Sequence, residues 1–133
     1  MESIKLKKNE INCILSYSAG AFRRIKLKDK YRVGEIYWVK EKFAIEYGVK
    51  DHTGCDPDRI MFKADKSTYL VDRYNDYKIG DLINRDELDE YFIENAEWEK
   101  AKYLKEPLSR LKVKIEAINV HNNSYEISLL QQV

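Results

Sequence analysis

The chain is poor in cysteine, in net charge and in long apolar runs, and each shortage removes a class of function. Its two cysteines, Cys13 and Cys55, cannot build the disulfide framework of a small secreted domain. No apolar run approaches the ~20 residues that a membrane-spanning helix needs. The charged N-terminus lacks a signal-peptide core, so a reducing cytoplasm is the expected location. Lys and Arg total 24 against 23 Asp and Glu, a net charge of +1. Domains that grip nucleic acid non-specifically are usually clearly basic, so any such contact here must be local. Histidine is scarce too. His52, Cys55 and Asp56 lie close together, with Asp51 and Asp58 beside them, but a zinc site wants about four converging ligands. The remaining Cys and His are Cys13 and His121. The cluster therefore reads as a polar turn with a free thiol, and no metal or cofactor is expected.

What is present suits one folded α+β domain over residues 1–133, with 44% apolar and 35% charged residues. The densest apolar and aromatic stretch is Tyr31 to Ile45, YRVGEIYWVKEKFAI. β-Branched and aromatic residues at this density predict a central strand, Glu35 to Val39, buried on both faces. Gly34 supplies a tight turn at its entrance. Lys40 and Glu41 stand at its far end.

Along the chain, Ile4 and Leu6 alternate with polar residues as a short edge strand. Asn9 reads as a cap for a helix over 10–17 carrying Ile11, Ile14 and Leu15 on one side. A small, polar loop from Ser16 then ends in Arg23 and Arg24. Ile60–Ala64 and Thr68–Val71 read as strands. Tyr77–Asp81 (YKIGD) echoes Tyr31–Glu35 (YRVGE), suggesting the same turn chemistry used twice. Asn84 with Glu87 forms a capping-box pattern opening a second, longer helix through Leu88, Tyr91, Phe92 and Ala96, bounded by Pro107. Asp86, Asp89, Glu90, Glu94, Glu97 and Glu99 make its outer face acidic. The plain reading of that face is solvation; the functional one is a docking surface. Leu111–Ala117 and Tyr125–Leu129 alternate as a hairpin about Asn122-Asn123. The sum is a handful of short strands and two helices, arranged as a curled sheet or barrel.

Paired arginines after a loop suit a phosphate or carboxylate, and equally suit salt bridges to nearby acids. Trp38 suits core packing or stacking on a base. Glu41, beside so apolar a run, needs a partner, and Arg23, Arg24 and Arg110 are the candidates.

Four separated pieces resemble one family. YRVGEIYWVKE is similar to the glycine-acid-x-apolar-Trp-Val-basic-Glu signature of phage and prophage ASCH-domain proteins, carried here by Gly34, Glu35, Trp38, Val39, Lys40 and Glu41. Upstream, Ile11, Ile14, Leu15, Arg23 and Arg24 look like the family's short helix and paired arginines. Ile60–Asp65 resembles its Tyr-Arg-Ala-Asp strand. Trp98 to Ser109 and Arg110 matches its spacing from a tryptophan to a Ser-Arg pair.

The resemblance implies a PUA-like (ASCH) curled β-barrel with two helices. It also implies a ligand cleft involving Arg23, Arg24, Trp38, Glu41 and Arg110. In this register the family's glycine-x-lysine turn is degenerate: Tyr17 replaces the glycine, Ala19 the catalytic lysine and Gly20 a threonine. A lysine works as nucleophile or base when burial lowers its pKa, and alanine can do neither. Lys26 and Lys28 lie past the turn, and Lys100 and Lys105 stand where the family tends to have prolines. The expected function is a non-catalytic module binding a nucleotide or a short RNA or DNA segment. The alternative is a phage-type inhibitor or adaptor that binds a host protein through the acidic face. An amidohydrolase acting on modified nucleosides, with relocated catalytic groups, is a lesser third.

Overall fold

The structure, a computed structural model, describes the chain except residues 17–20, 27–30, 49, 52, 53, 56, 88, 89, 123 and 133. It also leaves out the side chains of 21–26, 50, 51, 54, 55 and 121. From the N-terminus come β1 (Ser3–Lys5), α1 (Lys8–Ser16), β2 (Ala21–Lys26), β3 (Ile36–Lys40) and β4 (Phe43–Glu46). Next are β5 (Lys50–Asp51), β6 (Gly54–Cys55), β7 (Asp58–Phe62), β8 (Thr68–Asp72), β9 (Lys78–Leu82) and α2 (Glu90–Asn95). The long hairpin β10 (Lys112–His121) and β11 (Ser124–Gln132) ends the chain. These elements form two compact units, Met1–Val39 with Leu111–Val133, and Lys40–Arg110.

The first unit holds a five-stranded sheet in the order β1-β3-β10-β11-β2. β3 lies between two strands, as its density of apolar residues predicts, and Tyr37, Trp38 and Val39 are all buried. Consecutive buried residues point to opposite faces, so both faces of this strand are covered. β1 is the edge strand expected from its alternation, with Ile4 buried. α1 packs on β2 and β11 with Ile11 and Ile14 buried, while Leu15 is exposed. The helix begins earlier than Asn9 suggested. Lys7 takes the cap position, and its backbone N–H donates to Glu10 Oε1 at 2.9 Å, half of a capping box.

Gly34 has φ +88° in the turn closed by the Glu35 N–H donating to the Arg32 carbonyl at 3.3 Å. A Cβ there would meet nothing within 4 Å, so the requirement for glycine is one of backbone angle and not of space. Gly34→Val should therefore destabilise the fold by about 1–2 kcal/mol, read as a lower urea midpoint, with no gain from added apolar surface. In the hairpin, Asn122 adopts φ +52°, the left-handed turn expected of it. The ladder slips between Ile115 and Ala117, leaving Glu116 as an extra residue on β10.

The second unit is an antiparallel sheet ordered β4-β7-β8-β9. Its strand alternation serves two cores. Phe43, Ile60, Phe62 and Val71 meet Leu104 and Leu108, from the strap that follows α2. Ala44 and Met61 meet Phe92 of α2.

Three expectations are corrected here. Neither sheet closes, so the described residues contain open sheets and no closed barrel; the strands between Lys40 and Arg110 pair among themselves. The α+β class with two helices stands. The second helix is far shorter than expected. Asn84 opens only a 3-10 turn at Arg85–Glu87, its Oδ1 accepting from the Asp86 N–H at 3.4 Å, and α2 ends at Asn95. Beyond it Glu99 exchanges backbone hydrogen bonds with Phe43 of β4, and only 3-10 turns follow, at Ala101–Tyr103 and Glu106–Leu108. Pairing with a sheet edge satisfies the backbone that further helix would have satisfied. Lastly, the YKIGD echo is not a second glycine turn. Gly80 lies inside β9, where the register slips opposite Leu70. A Cβ on Gly80 would sit 3.1 Å from the Leu70 carbonyl oxygen, so close backbone approach is what this glycine allows. The left-handed residues of the preceding turn are Asp76 and Tyr77.

Candidate functional site

Glu41 occupies the short connection between β3 and β4, and Arg110 lies just before β10. The turn after β7 supplies Asp65 and Ser67, shaped by Lys66 at φ +62°. Arg110 joins them. Its Nε donates to Glu41 Oε2 at 3.0 Å and its Nη2 to Glu41 Oε1 at 2.8 Å. Its Nη1 donates to Asp65 Oδ1 and Oδ2 at 2.9 and 3.0 Å, and to the Ser67 hydroxyl. The Ser67 hydroxyl in turn donates to Asp65 Oδ1 at 2.6 Å. The guanidinium carbon lies 4.5 Å from the centre of the Phe62 ring. The side chains of Arg110 and Glu41 are only 4% and 1% exposed.

This is the planar, two-pronged pairing that arginine makes and lysine cannot. Burial pushes the Glu41 carboxyl above its ordinary range against the pull of Arg110. Burial also works against the charge of Arg110, but the hydrogen bonds and charges of Glu41 and Asp65 outweigh it and hold the proton. At Asp65 burial likewise acts upward, yet hydrogen bonds from Ser67 and Arg110 leave its carboxyl below the usual value.

Of the five residues expected to line a cleft, Glu41 and Arg110 therefore meet each other. Trp38 is buried in β3, 8% exposed. Arg23 and Arg24 lie on β2, in register with Ile127 and Glu126 of β11, and their side chains fall outside the described residues. So do the whole of the turn with Tyr17, Ala19 and Gly20, and Lys28, His52 and Asp56.

No family model, curated protein or solved structure matches this chain. Its residues alone must carry the reading.

A second polar centre has no sequence signal, because its members are far apart and follow no periodicity. Asp58, 2% exposed at the start of β7, accepts from the Gly48 N–H at 2.7 Å and from the Tyr77 hydroxyl at 3.0 Å. It also accepts from Arg73 Nη2, which reaches the Gly48 carbonyl at 3.1 Å. The Arg73 hydrogen bond, with help from Gly48 and Tyr77, holds the Asp58 carboxyl below its ordinary value despite burial. Burial and the bond to Asp58 push the Tyr77 hydroxyl up to about 12, so it stays neutral.

A depressed carboxylate stabilises the fold above its unfolded pKa, and that contribution disappears as pH falls through the folded value. Asp58 and Asp65 both start from 3.8 and are both lowered. Glu41, being raised, has the opposite sign. Melting temperature should therefore fall below about pH 4, and Asp58→Asn should flatten that acid limb while lowering stability at neutral pH. An unchanged acid limb in Asp58→Asn would show that this centre does not set the acid stability.

Among the described residues, no group of three or more His, Cys, Asp or Glu is placed to hold a metal. No described helix is long and apolar enough to cross a membrane. The acidic segment is open. Of the acids expected on this face, Asp86, Glu90, Glu94, Glu97 and Glu99 are exposed, as is Glu87 beside them, and none has an ion-pair partner among the described residues; Asp89 lies outside those residues. Tyr91 and Tyr103 beside them are 72% and 57% exposed.

Proposed function

We propose that this chain is a non-catalytic binding module, a relative of the ASCH and PUA-like proteins of phages whose barrel has opened. Its working surface docks on the basic groove of a partner protein. The observation that supports this most is the set of exposed carboxylates Asp86, Glu87, Glu90, Glu94, Glu97 and Glu99, without ion-pair partners among the described residues and accompanied by exposed Tyr91 and Tyr103. Like charges on one surface raise the encounter rate with an oppositely charged partner, and tyrosines supply contact area at small entropic cost. By contrast, Trp38, Glu41 and Arg110 are buried among protein atoms.

A second reading keeps a nucleotide or short nucleic-acid segment as ligand. It draws on Arg23 and Arg24, which the topology places on an edge strand of the five-stranded sheet. Phosphate contact there would give binding that weakens with salt and with Arg23→Ala or Arg24→Ala.

The two separate in one experiment. Capture of interacting protein from host cells by the full chain should fail with Glu90→Lys/Glu94→Lys and with rising salt, and survive Arg23→Ala/Arg24→Ala. Retention of labelled RNA or DNA that depends on the arginines, with capture indifferent to the glutamates, would reverse the choice.

A further inference from the structure

The Lys40–Arg110 unit contains an aromatic cleft of about 380 Å³ that the acidic-face reading does not require. Phe43 and Leu108, both buried, belong to its lining and to the sheet core beneath. Tyr47, Tyr77 and Tyr103 present three phenol rings, of which Tyr47 and Tyr103 are 69% and 57% exposed. Glu97 and Glu99 complete the lining, against one opposing charge from Lys105.

Several features make this a built site. Glu99 is fixed to β4 by the paired backbone hydrogen bonds with Phe43, at 2.7 and 3.4 Å. Tyr77 is held by its hydrogen bond to buried Asp58, so its ring cannot swing away without breaking that centre. One ring of the cleft, Tyr103, already meets a cation of this chain, as does Trp98 outside the cleft, which leaves Tyr47 and Tyr77 as the further faces for an incoming one. Lys102 Nζ lies 5.0 Å from the Tyr103 ring centre, and Lys66 Nζ lies 4.3 Å from that of Trp98.

Aromatic faces attract a cation through the ring quadrupole, and more strongly where water is excluded. Two lining carboxylates stand against Lys105 in the lining and Lys102 on the Tyr103 ring, so the cleft offers a phosphate or carboxylate ligand no excess of positive charge. A long aliphatic stem with an ammonium end fits both parts of the lining, its methylenes on Phe43 and Leu108 and its charge among tyrosines and glutamates.

We infer that the cleft between Tyr47, Tyr77 and Tyr103 receives a lysine side chain from a basic segment of the partner protein, its ammonium held by the tyrosine faces and by Glu97 and Glu99. This rests on the protein-docking reading and names the anchor that such docking would use.

The test is a titration of the full chain, followed by amide NMR, with a blocked glycine-rich peptide carrying one central lysine. The comparison peptide carries norleucine, which keeps the stem and removes the charge. The lysine peptide should shift the amides of Tyr47, Glu99 and Tyr103 and bind at least about fivefold more tightly than the norleucine peptide. Tyr103→Leu and Glu97→Gln/Glu99→Gln should each remove that preference while circular dichroism and melting temperature stay near the parent's. Equal affinity for the two peptides overturns the proposal, as do shifts confined to other residues. Tetramethylammonium binding as tightly as the peptide also overturns it, by pointing to a small-molecule cation site.

The broader reading fails separately. If partner capture is lost in Glu90→Lys/Glu94→Lys but kept in Tyr47→Leu/Tyr103→Leu, the docking surface stands and the lysine cleft falls. If capture ignores Glu90 and Glu94 as well, both fall.

Discussion

Arg110→Met should lower stability by about 3–5 kcal/mol at neutral pH, because it leaves a buried carboxylate without its cation. Glu41 is 1% exposed and makes two of its hydrogen bonds to Arg110. The substitution also strands Asp65, but that side chain is 36% exposed and can turn to water. The cost therefore sits on Glu41. Two controls separate charge from packing. Glu41→Leu combined with Arg110→Met should recover most of the loss, since replacing both members of a buried pair is often neutral. The penalty of the single variant should also shrink as pH falls, because a lone buried Glu41 can be relieved by taking a proton. Arg110→Lys should lie between, as an ammonium cannot keep the fork on Glu41 and still reach Asp65. Urea midpoints measured across pH would decide it. A cost below about 1 kcal/mol would mean that the pair is screened as a surface pair is.

Phe62→Ala should cost a similar amount, about 3–5 kcal/mol, for a different reason. Phe62 ends β7 fully buried and belongs to the cluster of Phe43, Ile60, Val71, Leu104 and Leu108. Its ring meets Tyr69 edge-on at 5.8 Å and carries the Arg110 guanidinium on its face. Truncation opens a cavity and removes the surface on which Arg110 rests, so the two sites should couple. The Phe62→Ala/Arg110→Met double variant should fall short of the summed single losses. Phe62→Leu keeps most of the volume and should lose about 1 kcal/mol, mainly ring interactions. Thermal melts of the three variants would show it, and strict additivity would separate the guanidinium from the ring.

Much of the strand layout was legible, because alternation and β-branched density report burial directly. β3, β8 and the hairpin about Asn122 fall where their patterns predict. So did the need of Glu41 for a cation, with Arg110 among the three candidates. Helix extent was not legible. From Asn84 to Tyr103 the apolar spacing suits a helix, but Glu99 pairs with Phe43, some fifty-six positions away, and tertiary pairing overrides local periodicity. Gly34 and Gly80 stand in pentapeptides of matching character, yet one serves a left-handed turn and the other a close approach to the neighbouring strand. Five residues do not encode which neighbour will pack against them.

Composition and pattern alone pointed to an α+β protein with little net charge, an acidic run from Asp86 to Glu99 and an apolar central strand at Glu35 to Val39. These properties depend on each residue's own polarity and its nearest neighbours. Tertiary structure decided the rest: that the sheets stay open, that Arg110 closes on Glu41, that Asp58 gathers Gly48, Arg73 and Tyr77, and that three tyrosines share a cleft with Glu97 and Glu99. Each of these joins residues distant in the chain. Their energies arise only once folding has excluded water between them, which no local pattern records.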